Sequence, residues 1–169
     1  MGRHQYPREV EVARELPKTE TGDPALPASS ALKKGINDMT ARQMIAAAGT
    51  TWPERYTFSP ALRVGNLLFI SGTTAVDETG ALVAPGDIVG QTRYIYQKFA
   101  RLLAAAGAGL EHVVETTEYI TTTENYRGTA EVRRAVFAPP YPTATGVIVA
   151  GLLREGALIE IAAVAMLPA

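Results

Sequence analysis

One carboxylate in an otherwise apolar run constrains this chain more than any other feature. Glu160 has Leu158-Ile159 before it and Ile161-Ala162-Ala163-Val164 after it. The run closes a longer stretch from Ala138 to Ala165, which reads as two apolar strand-like segments, 146–153 and 157–166. The polar turn Arg154-Glu155-Gly156 joins them. An ionised side chain in such a run is costly to bury unless it is paired or lines a cavity. Alternation puts Leu158, Ala162 and Val164 on one face of the last strand, and Ile159, Ile161 and Ala163 on the other. Helices of the same chain cover only one of those faces, so a symmetric partner is the economical cover for the second. Glu160 is then either a cavity-lining acid or a glutamate held at a sheet edge or by backbone donors.

Upstream, local signals set out the remaining elements. Residues 1 to about 38 are polar and punctuated by Pro7, Pro17, Pro24 and Pro27, so the extension to about residue 50 is expected to be partly irregular, or wrapped over a neighbouring subunit. Within it, Thr40 with Gln43 three residues on is a capping-box pattern, and Gly49 suits a left-handed stop. Together they predict a helix over 41–48. The domain proper is expected over 51–169. Leu62-Arg63-Val64, then Gly65-Asn66, then 67–71 reads as two strands around a tight turn. Asp87 is the expected N-cap of a long helix with the stripe Ile88, Ile95, Phe99, Leu102 and Ala106, ended by Gly107. Residues 113–121 are β-branched enough for a strand, with Glu115, Thr117, Tyr119 and Thr121 on one face and Val114, Thr116, Glu118 and Ile120 on the other. A second helix over about 124–137 stops at Pro139-Pro140. The order β-β-α-β-α-β-β predicts an α+β fold, a mixed sheet with two helices packed on one face.

Composition narrows function mainly by exclusion. Sixteen Lys+Arg against 17 Asp+Glu, in a chain of 169 residues, lack the basic surplus of an electrostatic nucleic-acid binder. With no cysteine, disulfides, zinc-thiolate sites and thiol catalysis are ruled out. His4 and His112 have no metal-ligand spacing, and His112 reads as a surface residue at a turn, so no metal is expected. The glycines at 65, 90, 107 and 109 form no phosphate cradle, so no nucleotide cofactor is implied. No run reaches the roughly 20 apolar residues of a membrane span. The N-terminus lacks the apolar core of a signal peptide, which makes a cytoplasmic address the expectation.

Two blocks of residues carry a resemblance. One is Pro142, residues 147–152, residues 157–161 and Ala165; the other is Arg63-Val64-Gly65-Asn66, Leu68-Phe69-Ile70-Ser71-Gly72 and Gln91-Thr92. In this order they resemble the RidA/YjgF family, the enamine/imine deaminases also described as endoribonuclease L-PSP, over about Tyr56 to Ala169. The resemblance implies a chorismate-mutase-like fold and a homotrimer whose sheets form a central barrel, with three small-molecule pockets between subunits. It places the family's pocket residues on Phe58, Ser71, Tyr119, Ala144 and Glu160. Ala144 stands where the deaminases carry the arginine that grips the substrate carboxylate, and Phe58 stands where they carry a tyrosine. Arginine's fork supplies charge-assisted hydrogen bonds worth ~1.5–3 kcal/mol each, and alanine supplies none.

Glu160 and Ser71 are the expected catalytic residues. Desolvation in an apolar cleft raises a carboxylate's pKa toward the range useful to a general base, and Glu160 would position water. Ser71 would donate to a ligand oxygen, or else simply cap a strand end; no His or Lys is placed to activate it. Phe58, Tyr119 and Ala144 are expected to line the substrate. Glu118 would join them if it faces the sheet's covered side, against the simpler reading of an exposed edge position. Arg133 shares a helical stripe with Tyr126, Ala130 and Phe137 and would either reach the pocket or snorkel at the surface. The expected function is a hydrolase or deaminase-type enzyme with a shifted substrate. The alternative is a non-catalytic ligand-binding or regulatory trimer. The family's own 2-imino acid deamination and an endoribonuclease activity are the weaker readings.

Overall fold

A computed structural model describes residues 41–168. The expectations for residues 1–40, including a wrap over a neighbour, lie outside the described residues. Six strands form one sheet: β1 (Arg42–Ile45), β2 (Ala61–Val64), β3 (Leu67–Thr73), β4 (Val113–Ile120), β5 (Thr143–Ile148) and β6 (Ile159–Met166). Their spatial order is β1-β2-β3-β6-β4-β5. All neighbours run antiparallel except β4 and β5, which run parallel. Two helices, α1 (Ile88–Ala105) and α2 (Thr129–Val136), supply the crossovers.

The local signals work where they are short-ranged. Val64 pairs with Leu67 across Gly65-Asn66, and Gly65 takes φ 60°, the positive angle that a two-residue hairpin loop demands. Asp87 Oδ1 accepts the Val89 amide at 3.0 Å, so α1 starts on its expected cap. It ends as a Schellman motif. Gly107 has φ 76° and donates to Ala104, while Ala108 reaches back to Leu103. The second helix is shorter than expected, because a 3-10 turn at Tyr126–Gly128 precedes it and Asn125 sits left-handed at φ 52°.

Two expectations fail. Residues 41–48 do not form a helix: Arg42–Ile45 is an edge strand paired with β2, and the chain then turns at Gly49. An eight-residue helix is marginal alone, whereas pairing with β2 satisfies the backbone and buries Ile45. The sheet therefore begins ahead of Trp52. The two closing segments are not neighbours joined by a three-residue turn either. β5 starts at Thr143 and ends at Ile148; residues 149–158 then carry the chain past β4, so that β6 enters between β3 and β4. Gln91 anchors that connection: its Oε1 accepts the Leu158 amide at 2.8 Å and its Nε2 donates to the Gly156 carbonyl.

The core lies between one sheet face and the helices. Ile88, Ile95, Phe99 and Leu103 of α1 pack on Leu68, Ile70, Ile120, Ile159 and Ile161. Strand β6 alternates strictly, its odd-numbered residues Ile159 to Ala165 buried under the helices. Its even-numbered residues, Glu160 to Met166, lie on the opposite face, which nothing in the described chain covers. Phe69, Met44 and Met166, each about half exposed, share that open face.

Candidate functional site

Across β4 and β6, Tyr119 pairs with Glu160, so both side chains stand on the open face and both are half-buried. The next strand brings a third residue to them. The β3–β6 register slips between Ile70 and Thr73, and the bulge holds Ser71 and Gly72. Gly72 lies directly against the Glu160 side chain: a Cβ there would run into the carboxylate. Glu160 makes no hydrogen bond to another described side chain, and the residue is only half-buried. This is an acid packed against the Gly72 backbone, with no side-chain partner among the described residues.

Ser71 is tied the other way. Its Oγ donates to the Ser59 carbonyl at 2.6 Å and its amide donates to Pro60 at 3.1 Å. The hydroxyl proton is committed, so Ser71 offers a ligand lone pairs rather than the expected donor. The same two bonds fasten the segment before β2 beside the bulge and so bring Phe58 toward it. Phe58 is 54% exposed and packs with Trp52 and Tyr56. Beside these rings is a hollow of about 430 Å³, lined also by Met44, Glu54 and Ser59. A smaller one of about 190 Å³ lies over the open face between Phe69, Glu115, Thr117 and Val164.

The remaining expected residues fall on the other side of the sheet. Ala144 pairs with Thr116, and Gly146 pairs with Glu118, so Ala144 shares the helix-side face at the exposed edge. Glu118 is 1% exposed, which corrects the reading of an edge carboxylate. Arg133 does not snorkel outward, because its Nη1 donates to both Glu118 oxygens at 2.8 and 2.9 Å. The Tyr126 hydroxyl adds a third bond at 2.7 Å, and Tyr96 sits at 3.5 Å. Burial, then the Glu118 charge, pushes the Tyr96 hydroxyl well above the ordinary tyrosine range. Burial and the bond to Glu118 also raise Tyr126. For Arg133 burial acts downward, but the Glu118 carboxylate outweighs it and holds the guanidinium above its usual pKa. A buried carboxylate with a guanidinium and two phenols is a saturated network. Within one chain it does not meet Glu160.

What sequence reasoning missed is Trp52, Tyr56 and Gly72. The spacing Trp-x₃-Tyr-x-Phe ahead of a strand was a visible signal for the first two; nothing local marks a glycine facing an acid 88 positions on. Among the described residues no group of three potential ligands could hold a metal, and no helix is long and apolar enough to cross a membrane.

Comparison with known proteins agrees with this geometry. The family model described as Endoribonuclease L-PSP matches residues 40–167. A RutC family protein of Pyrococcus horikoshii is 33% identical over 108 residues, 64% of this chain and 85% of that protein. The protein named 3-aminoacrylate deaminase RutC, of Acinetobacter baylyi, is 31% identical over 124 residues, 73% of this chain and 97% of its own. Among solved structures, RidA from an Antarctic Psychrobacter species superposes with a TM-score of 0.65 at 28% identity, covering 74% of this chain and 99% of that one. Mixed sheet, helix pair and bulge-facing acid thus belong to a chain that is a member of the RidA/YjgF, or endoribonuclease L-PSP, family.

Proposed function

We propose that this chain is a homotrimeric imine- or enamine-hydrolysing enzyme whose pocket forms between copies, and whose substrate lacks the carboxylate that the family's arginine would grip. The observation that carries it is Glu160, a carboxylate lying against the Gly72 backbone and unpartnered among the described residues. Such an acid orients a water and takes its proton as the oxygen attacks an iminium carbon. The carbinolamine then collapses, the nitrogen leaving with the proton, so that R₂C=NH₂⁺ and H₂O become R₂C=O and NH₄⁺. Similarity to a protein named 3-aminoacrylate deaminase supports this reaction class. The shift in substrate rests on Ala144, which carries no charge and, facing away from Glu160 within one chain, would reach the shared pocket only from a neighbouring copy. Assembly is supported by the open apolar face, on which Phe69, Met44 and Met166 remain about half exposed. A non-catalytic ligand binder is the second reading, favoured by the Ser71 proton already spent on Ser59.

The test generates imines in place, with an amine oxidase for those lacking a carboxylate and an amino-acid oxidase for those bearing one, and follows ammonia release. Acceleration of the first class, lost in Glu160→Gln, is the expected result. Acceleration confined to the second would overturn the substrate shift. No acceleration of either, with ligand still bound, would favour the binder. Light scattering at micromolar concentration should give a trimer, and a monomer would remove the shared pocket.

A further inference from the structure

Three aromatic rings gather in the segment before β2. Trp52 lies 5.1 Å from Tyr56 and 5.3 Å from Phe58 between ring centroids, and Tyr56 and Phe58 stack at 5.5 Å with 25° between their planes. They are not a loose surface patch. Trp52 Nε1 donates to the Phe58 carbonyl at 2.8 Å, which fixes the indole, and the Arg55 guanidinium stands 5.2 Å from the centre of the Tyr56 ring. Yet Tyr56 remains 40% and Phe58 54% exposed, beside the hollow of about 430 Å³. The hollow is open, and roomy enough for a single ring to lie on it. Ser59 lines it, and the Ser59 carbonyl holds Ser71, whose neighbour Gly72 lies against Glu160. A chain of contacts, Ser59 to Ser71 to Gly72, thus leads from the aromatic hollow to the acid, which itself lines neither hollow.

Charge decides what else the ligand carries. Glu54 lines this hollow and Glu115 the one over the sheet, and among the described residues neither lining includes a Lys, Arg or His, the Arg55 guanidinium being set over the Tyr56 ring. An anionic ligand would meet acids at both places.

We infer that the Trp52–Tyr56–Phe58 hollow is the subsite for a flat aromatic group, on a ligand whose polar end is an amine or iminium rather than a carboxylate. This rests on the proposed function only for which end reacts. A ring laid on an aromatic face gains edge-to-face or offset contacts that a saturated ring of similar size does not. The amine end then lies toward the acids, where its charge is favoured.

Because Trp52 is the only tryptophan in the chain, its emission reports on the hollow directly. The experiment titrates the full-length protein with benzylamine, cyclohexylmethylamine and phenylacetate. Benzylamine should perturb Trp52 and bind about two- to twelvefold tighter than cyclohexylmethylamine, the range an aromatic pair supplies, with phenylacetate weakest. Phe58→Leu should erase the benzyl preference and Phe58→Tyr should keep it; circular dichroism checks that both remain folded. Glu160→Gln should also keep the benzyl preference, so a failure of catalysis and a failure of this inference remain distinct. Equal binding of the two amines, a preference that survives Phe58→Leu, or phenylacetate binding tightest would overturn it. So would Trp52 emission that moves with protein concentration but with none of the three ligands, since a second copy would then fill the hollow.

Discussion

Glu118 and Glu160 stand on neighbouring strands, one register step apart, and face opposite sides of the same sheet. The first is buried and spends both oxygens on Arg133 and Tyr126. The second is half-buried, rests against a glycine and has no side-chain partner among the described residues. The same functional group thus does two jobs. Where the sheet is covered by helices, a charge survives only by being saturated, and a saturated charge has nothing left to offer a substrate. Where the sheet is open, a charge survives unpaired because water reaches it, and it stays available.

The sharpest way to break this contrast is to neutralise each acid. Glu160→Gln should leave stability within ~0.5 kcal/mol of wild type, as surface changes do. It should lower ammonia release by about 10²–10⁴-fold, the usual worth of a general base. A variant turning over at the wild-type rate would make the two acids equivalent. On the covered face the effect should fall on stability. Arg133→Leu strands the Glu118 charge and should cost about 3–5 kcal/mol in urea unfolding, while replacing both partners with apolar residues should recover much of it.

Ala144→Arg tests the edge of the covered face. Ala144 is exposed on β5, so a long side chain has room there. Two charge-assisted hydrogen bonds at ~1.5–3 kcal/mol each should raise affinity for a carboxylate ligand at least about tenfold, after loss to imperfect fit. Calorimetry with a 2-oxo acid would measure it, and no gain would place the pocket elsewhere. A smaller effect concerns pH. The folded protein raises the Tyr96 hydroxyl above its unfolded value, chiefly by burial and then by the Glu118 charge. Its contribution is complete below the unfolded pKa of about 10 and is lost as pH climbs beyond that. Thermal midpoints should therefore decline more steeply above about pH 10 in wild type than in Tyr96→Phe.

How much of this contrast could be read from the sequence depends on the range of the forces involved. The hairpin at Gly65, the Asp87 cap, the Gly107 stop and the alternation of β6 are set within a few residues, and all are legible. β1 is not, because its capping-box pattern competes with pairing to β2 some twenty positions away, and the pairing wins. Nor is the separation of β5 from β6, since apolar content fixes that both are strands and says nothing about what lies between them. The Glu118–Arg133 pair joins a strand to a helix. Judged singly, each residue reads as a surface charge; only their meeting makes burial tolerable. On the open face, Glu160 stood out because an acid in an apolar strand is rare in itself; the spacing of Trp52, Tyr56 and Phe58 signals a cluster, but the hollow beside the rings exists only once the chain is folded.

Gly72 has a consequence for the genetics of this protein. It has no side chain to ionise, donate or stack, yet an added methyl would collide with the end of Glu160, a group free to swing aside. Gly72→Ala should therefore yield a folded, well-expressed protein with the acid displaced from its station. In a mutational screen scored by ammonia release, the position would phenocopy Glu160→Gln, and expression level would not predict the loss. A harmful allele there would resemble a catalytic lesion at a residue with no chemistry of its own. A compensating change would be sought at the acid, such as Glu160→Asp, which draws the carboxylate back by one methylene.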